Sequence, residues 1–291
     1  MAKYPILKAV EFDKTSAKFR KQYGNVQALV DSGHWMIQPK YDGCFVKIQL
    51  SPGGYYIRSR TDEPVRSMDH IGQALLKWFG DFAAPGPVVV LGEAWAPHMT
   101  FPQISGAFRQ HRPAEDLHLV VNDLLPPDMA ERTSYVERFS YAAAMCCDVE
   151  ADFVYPAMIT PTSGDVVAQA RRQAASGGYD GLILRRRDAG YSIGDAKNGE
   201  IVKVKPTLSL DLLVVGVMGQ VGEKTGRRVF TLTVAHKGVW TDVGSGMPHV
   251  LTPDIVCGGI AEIECLGVTE DGKLREPRFK GMRHDKVDTD G

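Results

Sequence analysis

The sequence predicts an α+β chain in two parts, a larger mixed portion over residues 1–207 and a smaller all-β portion over 208–291. Three observations carry this expectation. Helical apolar spacings alternate with short strand patterns as far as Pro206, and beyond it the texture changes to short strands separated by Gly-rich turns. The third is size: 291 residues, 44% apolar and 24% charged, suffice for two ordinary globular cores.

Taken in order, Phe19, Tyr23, Val26 and Val30 recur at helical spacing, so a short helix is expected over 16–30, interrupted near Gly24. Trp35-Met36-Ile37 leads into Gln38-Pro39-Lys40-Tyr41-Asp42-Gly43, and the alternation over 44–50 makes a strand leaving a turn at Asp42-Gly43. Pro52-Gly53-Gly54 turns the chain into a returning strand that ends in Arg58-Ser59-Arg60-Thr61. Ile71, Leu75, Trp78 and Phe79 make one face of a helix that stops at Gly80. Residues 88–91 are wholly apolar, a buried strand running into Gly92-Glu93, and 101–109 reads as a loop with two aromatics and Arg109. Another buried strand follows over 117–125. Val136, Phe139, Ala143 and Cys146 describe an amphipathic helix within 131–147. A further helix, opened by Ser163 with Asp165 in its first turn and closed by Gly177-Gly178, precedes a strand over 179–184 that carries Asp180 near its start. In Ile201-Val202-Lys203-Val204-Lys205-Pro206 strand alternation puts Lys203 and Lys205 on one face. Strands over 212–217, 229–235, 239–243, 260–266 and 279–283 then suit a partly open barrel of the OB type, a fold used for nucleic acid.

Composition excludes some classes. No apolar run is long enough to span a bilayer and no targeting pattern opens the chain, so a cytoplasmic location is expected. Cys44, Cys146, Cys147, Cys257 and Cys265 are odd in number and lack Cys-x-x-Cys spacing, which argues against a disulfide framework and a zinc module. The net charge is -1, yet residues 171–237 hold twelve Lys and Arg against six Asp and Glu. That local basic character fits a polyanion partner, with a solvated surface the commoner source of a cluster such as Arg185-Arg186-Arg187.

Lys40 is the candidate nucleophile. A lysine amine attacks only when unprotonated, which burial or neighbouring cations favour, and Lys203 and Lys205 offer two cations that would also hold a phosphate. The plain alternative is that Asp42-Gly43 is an ordinary hairpin turn. Glu93 ends a fully apolar strand, where a carboxylate is costly to bury without a metal or a donor; a salt-bridged core glutamate is the competing reading.

With these residues in place, the chain resembles the small ATP-dependent DNA ligases, closest to the short ligases of tailed phages, within the covalent nucleotidyltransferase superfamily. The resemblance runs from Pro39 to Lys286. Lys40-Tyr41-Asp42-Gly43 looks like the family's adenylylated-lysine motif, Ser59-Arg60-Thr61 its second motif and Leu91-Gly92-Glu93 its acidic third. Tyr179-Asp180-Gly181-Leu182-Ile183 resembles the fourth, Lys203-Val204-Lys205 the fifth, and residues 274–286 the C-terminal one.

The resemblance implies an adenylyltransferase domain of two antiparallel sheets with flanking helices, ATP-grasp-like, followed by an OB-fold barrel. It implies that Lys40 attacks the ATP α-phosphate and carries AMP. Nucleotide contacts would come from Gln38, Asp42, Arg60, Glu93, Lys203, Lys205, Arg283 and Lys286, and Glu93 and Asp180 would hold Mg²⁺ or Mn²⁺. Gln38 occupies the adenine-reading position, its amide accepting from the exocyclic amine, while Arg278, Lys280, Arg283 and Lys286 would orient pyrophosphate. The implied partner is nicked duplex DNA, the implied state a compact monomer, and the implied cofactor ATP rather than NAD.

Three positions depart from the family pattern. Asp180 stands where glutamate is usual, Phe45 stands where arginine is usual with Lys47 on the same face as a substitute, and Val121-Asn122-Asp123 lacks the aromatic that stacks on adenine. The alternatives are an RNA ligase or mRNA guanylyltransferase of the same superfamily, and a non-catalytic OB-fold protein that binds nucleic acid without a covalent nucleotide.

Overall fold

Ser16 and Asn25 begin two short helices in quick succession, their side chains accepting from the backbone N–H of Phe19 and Ala28, and Gly24 at φ +74° separates them. The interruption expected near Gly24 therefore has a local cause. The computed structural model describes residues 6–82, 86–125, 132–161, 164–221, 226, 228–250, 253–269 and 271–291. The chain divides into two compact units, Met1–Lys205 and Pro206–Gly291.

In chain order the first unit runs β1 (Leu7–Lys8), α1 (Ala17–Tyr23), α2 (Val26–Asp31), β2 (Trp35–Tyr41), β3 (Cys44–Ser51), β4 (Gly54–Ser59), α3 (Asp69–Phe82) and β5 (Val88–Trp95). There follow α4 (Phe101–Phe108), β6 (His118–Leu125), α5 (Tyr135–Asp148), β7 (Val154–Pro156), α6 (Val166–Ala175), β8 (Tyr179–Arg186), β9 (Gly194–Asp195) and β10 (Ile201–Val204). One sheet has the order β10-β8-β2 and is antiparallel throughout. A second has the order β4-β3-β5-β6-β7, antiparallel except for the parallel pair β6 and β7, and β1 and β9 form a short parallel pair.

Strand alternation sorts the smaller sheet into two faces. Trp35, Ile37, Leu182, Leu184, Val202 and Val204 pack with Phe19, Leu29 and Val30 from α1 and α2 and with Val166 and Ala170 from α6. The opposite face carries Gln38, Lys40, Ile183, Arg185 and Lys203, with Ile183 in register between Gln38 and Lys203. The larger sheet has its own core, in which Val46, Ile48, Leu50, Val90 and Leu119 meet Ile71 and Leu75 of α3 and Phe139 of α5.

Several expectations need correction. Asp42-Gly43 is not a hairpin turn, because β2 and β3 belong to different sheets; it is the crossover between them. Gly43 is required there, since a Cβ would lie 2.3 Å from the Ala94 carbonyl oxygen and 2.8 Å from Cγ of Glu93. Residues 101–108 form a helix rather than a loop: Thr100 and Gln103 make a capping box and Pro102 sits in the first turn, signals outweighed by the weak apolar periodicity of so short a run. The α3 helix passes Gly80 and ends at Phe82. Asp165 is the N-cap of α6, accepting from Val167 and Ala168, while the expected helix starts at Glu131 and Ser163 lie outside the described residues.

The second unit runs β11 (Leu208–Val221), β12 (Arg228–His236), β13 (Val239–Val243), β14 (Ile260–Cys265), β15 (Gly267–Val268), β16 (Leu274–Arg275) and β17 (Arg278–Met282). Its five-stranded sheet has the order β13-β12-β11-β14-β17. Bulges at Val214/Gly216 and Glu262/Ile263 bend the sheet. A parallel bridge from Ser245 to Arg278 joins its two margins, with Phe279 N–H donating to the Ser245 carbonyl at 2.9 Å. This is the partly open barrel expected, around Leu212, Val214, Leu232, Val234, Val243 and Ile263.

Candidate active site

Lys40 Nζ donates to Asp180 Oδ2 at 2.7 Å, and Lys205 Nζ lies 3.0 Å from the same oxygen. Three residues far apart in sequence thus meet at one atom, because β2 and β8 are paired and Lys205 directly follows β10 on the other side of β8. Burial opposes the charge on Asp180, but Lys40 and Lys205 outweigh it and hold the carboxyl below the ordinary aspartate range. The fit of the shorter side chain is direct. Asp180 bridges two ammoniums at ordinary charge-assisted distances without the extra methylene of glutamate.

Lys203 turns to a different acid. Its Nζ lies 3.2 Å from Glu11 Oε1, a residue of the N-terminal segment that the strand pattern gave no reason to single out. The strand ends at Val204, so only Lys203 is on it, and the two lysines turn to different carboxylates rather than forming a bare pair of cations.

Glu93 comes from the other sheet. Burial pushes its carboxyl up to about 7, with Lys40 and Arg60 pulling the other way and Asp42 adding to the rise. Three of the expected site residues, Lys40, Arg60 and Asp42, therefore act on Glu93, together with Arg185. The Arg60 guanidinium lies 5.5 Å from the centre of the Phe45 ring, so the aromatic that replaces the usual arginine supports a different one. Lys47, on the same face as Phe45, is half-buried, and desolvation lowers its pKa against the pull of Asp62.

Gln38 departs most from expectation. Its carbonyl oxygen already accepts from Arg185 Nε at 2.9 Å and from the Tyr135 hydroxyl at 3.3 Å, while its amide nitrogen is buried without a hydrogen-bond partner. A flip of the amide would set donor against donor at Arg185. The carbonyl is thus not the free group, contrary to the role assigned to it. In the Val121-Asn122-Asp123 stretch, the Asn122 backbone carbonyl accepts from the Tyr135 hydroxyl at 3.1 Å. The neighbouring Asp123 is structural: it takes two hydrogen bonds, at 2.8 and 3.0 Å, from the buried Arg138 of α5.

Tyr135 and Arg185 were not singled out from sequence. Arg185 lies 5.1 Å from the centre of the Tyr135 ring and two residues from Ile183 on the Lys40 face. Strand alternation through β8 could have separated it from Arg186, whose side chain instead reaches Asn198 and Asp188. In the second unit Arg283 donates to Asp211 at 3.0 Å and, through Nε and a terminal nitrogen, to Asp285 at 2.9 Å each. Lys286 lies 3.4 Å from Asp211, and Lys280 pairs with Glu264 at 3.1 Å.

Comparison with known proteins finds relatives among the DNA ligases. Relatives include a probable DNA ligase of Pseudarthrobacter chlorophenolicus, 24% identical over 68% of this chain and 39% of its own length. A second is DNA ligase 2 of Haloquadratum walsbyi, 26% identical over 87% of this chain and 47% of its own. The chain thus spans about half or less of the length of these curated relatives. Among solved structures, a Lig E DNA ligase described as binding DNA with a minimal scaffold aligns with a TM-score of 0.70 at 17% identity, covering 96% of this chain and all of that one. The ATP-dependent DNA ligase of bacteriophage T7, in complex with ATP, aligns with a TM-score of 0.54 at 18% identity over 96% of this chain and 98% of its own. These likenesses show an adenylyltransferase-type α+β unit followed by an OB fold. The profile of the ATP-dependent DNA ligase domain matches residues 14–205, the span that contains Lys40, Arg60, Glu93, Asp180, Lys203 and Lys205, and the chain belongs to that family.

Proposed function

We propose that this chain is an ATP-dependent DNA ligase that seals nicks in duplex DNA, with residues 1–207 as the adenylation domain and 208–291 as the OB-fold domain. The observation that carries the reading is the meeting of Lys40 and Lys205 on Asp180, within the field of Glu93. It supports Lys40 as a nucleophilic amine among groups that can hold a polyphosphate.

Lys40 Nζ, once deprotonated, attacks the α-phosphorus of ATP: a P–N bond forms, the bond from the α-phosphorus to the bridging oxygen breaks, and pyrophosphate leaves. Lys205, Lys203 and Arg60 offset the charge that builds on the transferring phosphate. A 5′-phosphate oxygen of the nick next attacks the AMP phosphorus and frees Lys40. The 3′-hydroxyl then attacks the activated 5′-phosphate and AMP departs. Gln38 supports nucleotide binding in a specific way, because its buried amide nitrogen is an orphan donor that a ring nitrogen of the base would satisfy. Arg283 and Lys286 serve the leaving pyrophosphate.

Among the described residues no three His, Cys, Asp or Glu side chains form a metal cluster. A hard divalent ion that keeps waters and takes phosphate oxygens needs only one or two carboxylates, which Glu93 and Asp180 supply. Mg²⁺ or Mn²⁺ there would neutralise phosphate charge. No described helix is long and apolar enough to cross a membrane. We place the protein in the cytoplasm, that of a host if a phage encodes it, and expect a monomer.

The test is incubation with ATP labelled at the α-phosphate and Mg²⁺, then denaturation. Protein-bound label that survives alkali and is released by acid is expected, and Lys40→Ala should abolish it with the fold intact. Full labelling of that variant would overturn the assignment. Transfer of the label to nicked DNA, and its failure on nicked RNA, would separate DNA ligase from RNA ligase.

A further inference from the structure

The groups proposed for catalysis come from two sheets that share no backbone ladder. Lys40 and Asp180 lie on the three-stranded sheet and Glu93 on the five-stranded one. Something other than strand pairing must set the distance between them.

The Gly178 carbonyl oxygen accepts from one donor on each side. Asp42 N–H, two residues beyond Lys40, donates to it at 3.0 Å, and Trp95 Nε1, two residues beyond Glu93, donates at 2.9 Å. Gly178 is itself two residues before Asp180. The Trp95 ring lies nearly parallel to Tyr179, with 28° between planes and 5.8 Å between centres, and edge-on to Tyr41 at 5.2 Å. Tyr41 in turn meets Tyr179 at 5.2 Å, closing a triangle of rings. Gly178 has φ +72°, and a Cβ there would lie 3.1 Å from the Trp95 ring, so a glycine allows the close approach. Trp95 is 8% exposed, and a buried indole N–H needs a partner of this kind.

We propose that Trp95 is a positioning residue for the first chemical step: through the Gly178 carbonyl it fixes the carboxylate of Glu93 relative to the Lys40 and Asp180 pair. It reaches the reacting groups only through its neighbours. The inference rests on the ligase reading, because the step it controls is adenylylation of Lys40.

The test uses the full chain in single-turnover labelling with α-labelled ATP. Rate constant and final amplitude are measured separately. Trp95→Phe keeps a ring in the triangle and removes the N–H. It should lower the rate constant at saturating ATP about tenfold, with the half-saturating ATP concentration changed less than twofold and the amplitude retained. Gly178→Ala presses on the same contact from the turn before β8 and should slow the reaction alike, with the double variant no slower than the worse single one. It also serves if Trp95→Phe folds poorly. Trp240→Phe, at an exposed site in the second unit, should match the wild type. A loss confined to amplitude, or additive losses in the double variant, would mean that Trp95 only fills the core and would overturn the inference. A wild-type chain that takes no label sinks the ligase reading instead.

Discussion

Replacing Glu93 with glutamine removes one charge and nearly preserves the shape of the side chain. Burial raises this carboxyl from 4.5 to about 7 in the folded chain, the net of desolvation and Asp42 against Lys40 and Arg60. An acid whose folded pKa is raised binds more protons folded than unfolded between those two values, so its contribution to stability falls as pH rises. The difference of about 2.5 pH units at about 1.36 kcal/mol per unit gives a cost of about 3 kcal/mol once both states are ionised, near pH 8. At pH 5 most of that cost is absent. Solvent reaching the partly buried carboxylate reduces the figure, so about 3 kcal/mol is an upper bound. Glu93→Gln should therefore be more stable than the wild type at pH 8 and about equal at pH 5, while losing ATP-dependent labelling. The assay is urea denaturation of the full chain at pH 5, 6, 7 and 8, followed by intrinsic fluorescence and compared through the midpoint of the transition. Wild-type and variant midpoints that move in parallel across this range would refute the reasoning, and would place the Glu93 carboxylate in contact with compensating cations or water.

Asp180→Asn should slow labelling more than tenfold and destabilise the chain by about 2 kcal/mol near neutral pH, because two ammoniums lose a shared carboxylate. Its folded pKa is depressed, so this difference should persist at neutral pH and vanish in acid as the wild-type carboxyl protonates; labelling and denaturation at several pH values check both. Gly43→Ala would put a Cβ 2.3 Å from the Ala94 carbonyl and should cost about 2 kcal/mol or more, with a matching loss of labelled protein after brief heating. The Arg283→Ala, Lys286→Ala double variant should suppress self-adenylylation far more than sealing of a pre-adenylylated nick, measured by single turnover at low salt. Equal losses in the two steps would assign both residues to DNA binding or barrel stability.

Elements whose signal is local were legible in the sequence. The helical stretch broken near Gly24, the hairpin at Pro52-Gly53 and the alternating barrel strands all follow from residues next to one another. The α4 helix was missed because its evidence is a capping box on a run of only eight residues, too short for periodicity to decide. The Asp42-Gly43 crossover was missed for the opposite reason. The same dipeptide that suits a hairpin also suits a glycine pressed against a neighbouring strand, and only the Ala94 carbonyl distinguishes them. In the site, Lys40, Glu93, Asp180, Lys203 and Lys205 stood out as charges placed on apolar strands. Arg185 did not, because a run of three arginines looks like surface until strand register divides it.

The pairing of charges was also illegible, and it changes how the site works. Lys40 and Lys205 meet Asp180, Lys203 meets Glu11, and Arg283 and Lys286 meet Asp211. Each of these cations, proposed for the polyphosphate, is thus held by a carboxylate in the free chain. Within the first unit such pairing offsets the mutual repulsion of the partly buried Lys40 and Lys205, which share Asp180. On the proposed function, phosphate oxygens would compete with carboxylates already in place, so nucleotide binding would be an exchange of anions rather than the filling of a bare positive pocket. An exchange returns less net energy than a bare pocket would, which weakens binding of any single phosphate group. A triphosphate that engages several cations at once recovers the difference through multiple contacts. Discrimination between ATP and free phosphate can therefore come from the pairing itself, and Glu11→Gln, which frees Lys203 without touching the nucleophile, should tighten inhibition by inorganic phosphate more than it tightens ATP. Competition of phosphate against labelling measures this; equal changes for both ligands would mean that the acids only neutralise charge and take no part in selecting the polyphosphate.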